Sequence, residues 1–221
     1  MLKSYDEDLG NIKNSIKSVC KKVLSANKTL LEATEDCDND RFVEAKSYLK
    51  NLSSTLNDID NEIVKILALH SPEARDLREV VAYFKTTNEL LRASSNTRSL
   101  IKVFIKDCKN VDKELIKSYV LPLQRSTIKA LEYVYSMIGL DDADELKDIF
   151  HEIIVEEDKT DELYGMLEKK IFTELKDSSD FEKTHNILRA FRRSEKIADR
   201  AISIANLLLY IFQGGELHNP R

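Results

Sequence analysis

The chain has 221 residues, of which 33% are charged, with no Trp, five Gly and three Pro. Its dominant Leu, Lys, Glu, Ala and Ile give the profile of long helices, in one large domain or two small ones. The balance of 34 Lys and Arg against 39 Asp and Glu leaves a net charge of −5, which excludes the basic face of a nucleic-acid binder.

Six long helical segments are predicted in chain order. The first runs from about Ser4 to Glu35, and the polar DCDND (36–40) breaks it. A second continues to Leu69 and stops at His70-Ser71-Pro72, because proline cannot extend a helix but can begin one. The third spans about Glu73 to Lys106, and a polar DCKNVD (107–112) then separates the halves. The fourth reaches Ile138 before Gly139, with a bend expected at Pro122. The fifth covers about 142–176, and DSSD (177–180) supplies a turn and an N-cap. The sixth runs from Phe181 to Gln213 and is closed by Gly214-Gly215. No alternating strand pattern competes with these helices.

The three cysteines, Cys20, Cys37 and Cys108, are odd in number, far apart and without a CxxC spacing. They read as reduced thiols and not as a disulfide framework. The N-terminal MLKSYDEDLG turns acidic at once and lacks the apolar core of a signal peptide. The apolar ANLLLYIFQ (205–213) is too short to span a bilayer and contains Asn206. The expectation is a soluble, cytoplasmic protein.

Two segments carry chemistry, EEDKTDELY (156–164) and SEKIADRAISIA (194–205). In the later one an apolar stripe runs Leu188, Phe191, Ala198, Ile202, Ala205, Leu209 and Phe212. Those are the three- and four-residue steps of a buried helix face. Glu195 interrupts it, and Asp199 follows one turn on. In the earlier segment Ile153, Ile154, Leu167 and Ile171 mark the stripe, and Glu157 and Asp161 interrupt it. A buried carboxylate is costly unless something positive neutralises it. Asp161 lies about 15 residues before the 177–180 turn and Glu195 about 15 after it. On antiparallel helices all four carboxylates then reach one level, roughly 22–30 Å from the turn. A single Glu-x-x-x-Asp reads as solvated helix surface; two at matched depth on facing helices read as a cation site. An all-oxygen donor set suits Mg²⁺, Mn²⁺ or iron.

Other patterns carry less. Glu182-x-x-His185 has the spacing of a di-iron bundle ligand pair, but lies at another depth and has no second copy. Asp148-x-x-His151 is an echo of it at a different level. There is no P-loop and no nucleophile elbow, and four scattered His make no triad. The Asp76-Leu77-Arg78 segment is expected to fix the loop between the second and third helices through capping and a salt bridge.

The two halves resemble each other, and DLREVVAYFKTTNELLRASSNTRSLIK (76–102) aligns with THNILRAFRRSEKIADRAISIA (184–205). Setting Arg92 opposite Lys196 puts Leu91 opposite Glu195 and Ser95 opposite Asp199. Short links between long helices favour antiparallel neighbours. The expected fold class is all-α, two tandem three-helix bundles related by an internal repeat, at 1–107 and 108–221.

LALHSPEARDLREVVAYFKTTNELLR (67–92) and SEKIADRAISIANLLLYIFQGGELH (194–218) resemble the signature segments of the PhoU family of phosphate-uptake regulators. The resemblance covers essentially the whole chain. It implies a metal motif of Glu or Asp, three residues, then Asp, on the second and third helices of each bundle. Glu157 and Asp161 match it on the fifth helix, and Glu195 and Asp199 on the sixth. The first half departs, with Asp60 kept but Leu56, Leu91 and Ser95 at the other positions. The resemblance therefore implies one metal cation cluster, of iron, manganese, magnesium or zinc, in the C-terminal bundle.

It further implies a regulator and not an enzyme. Such a protein restrains phosphate uptake and phosphate-regulon signalling, bridging the ATPase subunit of a phosphate ABC transporter and a phosphate-sensing histidine kinase. A homodimer is implied, with only indirect membrane association and no nucleic acid. Two alternatives stay open: an accessory regulator of a sodium- or proton-coupled phosphate permease, and a di-iron or iron-storage bundle.

Overall fold

The computed structural model describes residues 2–174 and 181–214, and all regular elements among them are helical. Helix α1 (Leu2–Asp36) buries Ile12, Ile16, Val19, Val23, Leu30 and Ala33 along one stripe. It ends where Cys37 turns left-handed at φ 51°. Asp38 then starts α2 (Asn39–Tyr48), its Oδ1 accepting from the Asp40 and Arg41 amides at 2.9 and 3.3 Å. The acidic DCDND thus both stops one helix and caps the next.

The second predicted helix is broken. Asn51 adopts φ 61°, and α3 (Leu52–His70) begins after it. Asparagine tolerates that left-handed conformation, and Leu49 and Leu52 on either side are both fully buried. Arg98 donates to the Leu49 carbonyl at 2.8 Å, so the interrupted backbone finds a partner. After Ser71 and Pro72, α4 (Ala74–Asp107) returns along the bundle.

The junction holds a 3₁₀ turn at Cys108–Asn110 and a single turn α5 (Lys113–Leu115) capped by Asp112, whose Oδ1 accepts from the Glu114 amide at 2.8 Å. A π turn, Ile116–Val120, leads into α6 (Leu121–Met137). The irregularity expected at Pro122 therefore appears just upstream of it. The proline ring crowds the preceding turn and offers no N–H, and the wider turn relieves both. Gly139 at φ 94° ends this segment, and Asp142 caps α7 (Ala143–Glu174). Helix α8 (Phe181–Gln213) closes the described chain; the DSSD turn lies outside the described residues.

Helices α1 to α4 form one bundle and α6 to α8 the other. The bundles join along α4 against α8, with α1 against α6 beside them. Phe104 meets Phe191 at 5.4 Å and Arg78 donates to the Ile211 carbonyl at 3.2 Å, so α4 and α8 run antiparallel. Apolar side chains form one continuous core through both bundles. Lys17 on α1 likewise donates to Ile138, the last carbonyl of the α6 segment, at 3.0 Å. The first bundle thus sends two cations to helix termini of the second, where free carbonyls carry negative potential. Asp76-Leu77-Arg78 was expected to serve its own loop; Arg78 instead ties the two bundles together.

The cysteines also differ from expectation. Cys37 and Cys108 form a disulfide, with Cα atoms 5.7 Å apart and a sequence separation of 71. It fastens the end of α1 to the turn after α4. Sequence distance concealed this, because the α2–α3–α4 path returns the chain to the same end of the bundle. Cys20 remains a free, buried thiol.

Candidate metal centre

Helices α7 and α8 pack against each other in the C-terminal bundle. Their apolar stripes bury Ile153, Leu167 and Ile171 on one side and Phe191, Ala198 and Ala205 on the other. That burial fixes which residues meet. Glu157 and Glu195 fall within the packed faces and are only 3% and 6% exposed. Asp161 and Asp199, one turn further along each helix, are half-buried.

Glu157, Asp161 and Asp199 converge, each with a carboxylate oxygen within 4.8 Å of the others. This is the one such cluster of potential ligands among the described residues. Glu195 stands beside it and outside the convergent set. Its Oε1 lies 2.9 Å from Lys196 Nζ, and the same ammonium lies 2.7 Å from Asp199 Oδ2. Glu195 Oε2 is buried and accepts no hydrogen bond; Arg192 Nε is 4.0 Å away.

Electrostatics follow from that geometry. Burial pushes the Glu195 carboxyl above the ordinary range and the Asp199 charge adds to this, while hydrogen bonding to Lys196 opposes it. Burial works against the Lys196 ammonium, yet Asp199 and Glu195 more than compensate and raise its pKa. Arg192 stacks over the Tyr164 ring at 5.3 Å, next to the cluster. Arg200 reaches from Asp199, at 3.6 Å, to Glu89 on α4, at 3.0 Å.

The donor set is compatible with a divalent cation. Three carboxylates at close range repel one another, and a hard cation bound by oxygen relieves that repulsion. The buried Glu195 oxygen without a donor lies beside that set.

The first bundle carries no equivalent among the described residues. Asp60 accepts a hydrogen bond from Thr87 at 2.5 Å, Leu56 is buried in the core and Ser95 is exposed. Of the weaker candidates, His151 is exposed and bonds back to the Lys147 carbonyl at 2.7 Å. The side chains of Glu182 and His185 lie outside the described residues.

Sequence reasoning missed Lys196, Arg200 and Glu89 as parts of this network. Lys196 follows Glu195 directly and precedes Asp199 by three, a spacing that pairs charges on a helix, so it was detectable. The contact of Arg200 with Glu89 joins residues 111 apart and had no local signal.

A repeated helical bundle with one carboxylate cluster between its last two helices defines the class, an all-α tandem-repeat protein. The chain belongs to the PhoU family: the PhoU domain matches twice, at residues 16–103 and 122–208. Members of that family are regulatory accessory proteins and not enzymes. The chain is 25% identical over 219 residues to the phosphate-specific transport system accessory protein PhoU of Serratia marcescens, covering 97% of this chain and 87% of that one. Its Escherichia coli (strain K12) counterpart is 24% identical over 216 residues, covering 97% and 88%. The crystal structure of PhoU from Pseudomonas aeruginosa superposes with a TM-score of 0.86 at 21% identity, covering 96% of this chain and all of that one. The phosphate transport system regulatory protein PhoU from Streptococcus pneumoniae gives 0.82 at 20% identity, over 97% and 99%. No described helix is long and apolar enough to cross a membrane.

Proposed function

We propose that this chain is a regulator of phosphate transport whose C-terminal bundle binds a divalent cation. Membership of the PhoU family across both repeats carries the regulatory reading. The convergence of Glu157, Asp161 and Asp199 supports the cation site, with Glu195 as an additional ligand. These residues would hold the ion, and the ion would neutralise the cluster and pin α7 to α8.

In this reading the protein restrains uptake when phosphate is abundant. It does so as an adaptor between the ATPase subunit of a phosphate ABC transporter and the phosphate-sensing histidine kinase. Long helices with mixed charged faces, such as that of α3, suit helix-to-helix docking, and a homodimer would present two such faces. Both partners lie at a membrane, which the chain reaches through them.

The test is phosphate uptake and phosphate-regulon reporter expression in the native host, with the gene deleted and then restored. Deletion should leave uptake and reporter expression high in abundant phosphate, and the wild-type gene should restore repression. Uptake and expression unchanged by deletion at every phosphate level would sink the regulatory reading. The cation is tested separately by elemental analysis of untagged protein and of Asp161→Ala/Asp199→Ala. Metal should accompany the wild type and be absent from the variant.

A further inference from the structure

The candidate centre contains a cation of its own. Lys196 Nζ sits between Glu195 Oε1 at 2.9 Å and Asp199 Oδ2 at 2.7 Å. Asp199 belongs to the convergent cluster, and Glu195 is the neighbour held out of it. A divalent ion at the cluster seeks the same two carboxylates. Like charges at that range repel, so an ion and the ammonium do not share them favourably.

Two other cations nearby are less suited to that role. Arg200 is committed to Glu89 at 3.0 Å and stands 3.6 Å from Asp199. Arg192 lies over Tyr164, with its Nε 4.0 Å from Glu195. Lys196 is different because its head is a compact charge on a flexible stem. Its side chain is 39% exposed, so a path to water is open. The repeat differs at this point: the matching residue, Arg92, is exposed, with Leu91 and Ser95 at the positions where the second half has acids.

We propose that Lys196 is a built-in counter-cation that competes with divalent metal for Glu195 and Asp199. Metal binding requires its ammonium to swing out, and only then does Glu195 join the ligand set. The metal-free protein stays neutralised and folded, and metal affinity is held below what four carboxylates would give. This inference rests on the cation reading of Glu157, Asp161 and Asp199.

The experiment is calorimetric titration of the full chain with MnCl₂, with thermal melts recorded with and without Mn²⁺. It compares wild type, Lys196→Gln, Asp161→Asn and the double variant. Lys196→Gln should bind Mn²⁺ about tenfold more tightly or better, equivalent to about 1.4 kcal/mol. It should melt lower than wild type without Mn²⁺ and gain more from its addition. Asp161→Asn should abolish binding in both backgrounds. If wild type binds Mn²⁺ through Asp161 but Lys196→Gln binds equally or more weakly, the Lys196 role is overturned and the cation reading stands. If neither wild type nor Lys196→Gln responds to Mn²⁺, both are overturned. Lys196→Met, which keeps the aliphatic stem, replaces Lys196→Gln if the latter does not fold, and the same affinities decide.

Discussion

Arg200 on α8 places Nη1 3.0 Å from Glu89 on α4 and Nη2 3.6 Å from Asp199. One guanidinium therefore touches both the candidate centre and the opposite bundle. The Arg200 and Glu89 side chains are 22% and 16% exposed, so salt screens the pair only partly. Arg200→Ala should cost about 2 kcal/mol in urea unfolding, since Glu89 loses a charged donor and Asp199 a nearby cation. A cycle with Glu89→Gln should show coupling of more than about 0.5 kcal/mol. Simple additivity would mean the pair contributes nothing across the interface.

Arg78 makes a second tie between the bundles. Its Nε donates to the Ile211 carbonyl, and the neighbouring Arg75 guanidinium lies 4.3 Å from the Phe212 ring centroid. Arg78→Ala should lower stability by about 1 kcal/mol. Amide exchange should quicken in the last turns of α8 and leave the middle of α7 unchanged. A loss confined to the α3–α4 loop would instead restore the local capping role read from the sequence.

How much of this was legible depends on how local each signal is. Helix ends at Asp38, Pro72 and Gly139 are set by neighbouring residues and were readable within a residue or two. The break at Asn51 was not, because its cause lies in burying Leu49 and Leu52 together and in the reach of Arg98 from α4. Three- and four-residue spacing, with matched distance from the 177–180 turn, placed Glu157, Asp161, Glu195 and Asp199 on facing helices. It could not tell that Lys196 would divert Glu195, since that is a choice among side-chain rotamers. The Cys37–Cys108 bridge was hidden for a similar reason: only the closed bundle brings the two chain positions together.

Asp142 provides a pH test well away from the carboxylate cluster. Its Oδ1 accepts from the Asp144 and Glu145 amides at 2.9 and 3.0 Å. The hydrogen bond from Glu145, and then that from Asp144, holds its pKa below the ordinary aspartate value. A depressed carboxylate stabilises the fold above its unfolded pKa, and that gain is lost as pH falls through the folded value. Wild type should therefore exceed Asp142→Asn in urea midpoint near pH 7. The gap should close as the solution is acidified below about pH 4, where free aspartate begins to protonate. A gap independent of pH would show that the cap acts without its charge.

The disulfide makes the sharpest prediction about the first bundle. Cys37 and Cys108 enclose α2, α3 and α4 in a loop with a separation of 71 residues. Cross-linking a loop of that length restricts the unfolded chain by roughly 4 kcal/mol. Reduction should lower stability by about that much, and Cys37→Ser should reproduce the loss without reductant. Burial pushes the Cys20 thiol up to about 12, so only about one molecule in ten thousand carries its thiolate at pH 8. Native, unreduced protein should then show no thiol reactive toward a thiolate-seeking reagent. Unfolding without reductant should release one, Cys20, and reduction of the unfolded chain should release all three. Three thiols from protein purified and unfolded without reductant would mean that the chain carries the pair reduced. In that case Cys37→Ser should leave its stability unchanged.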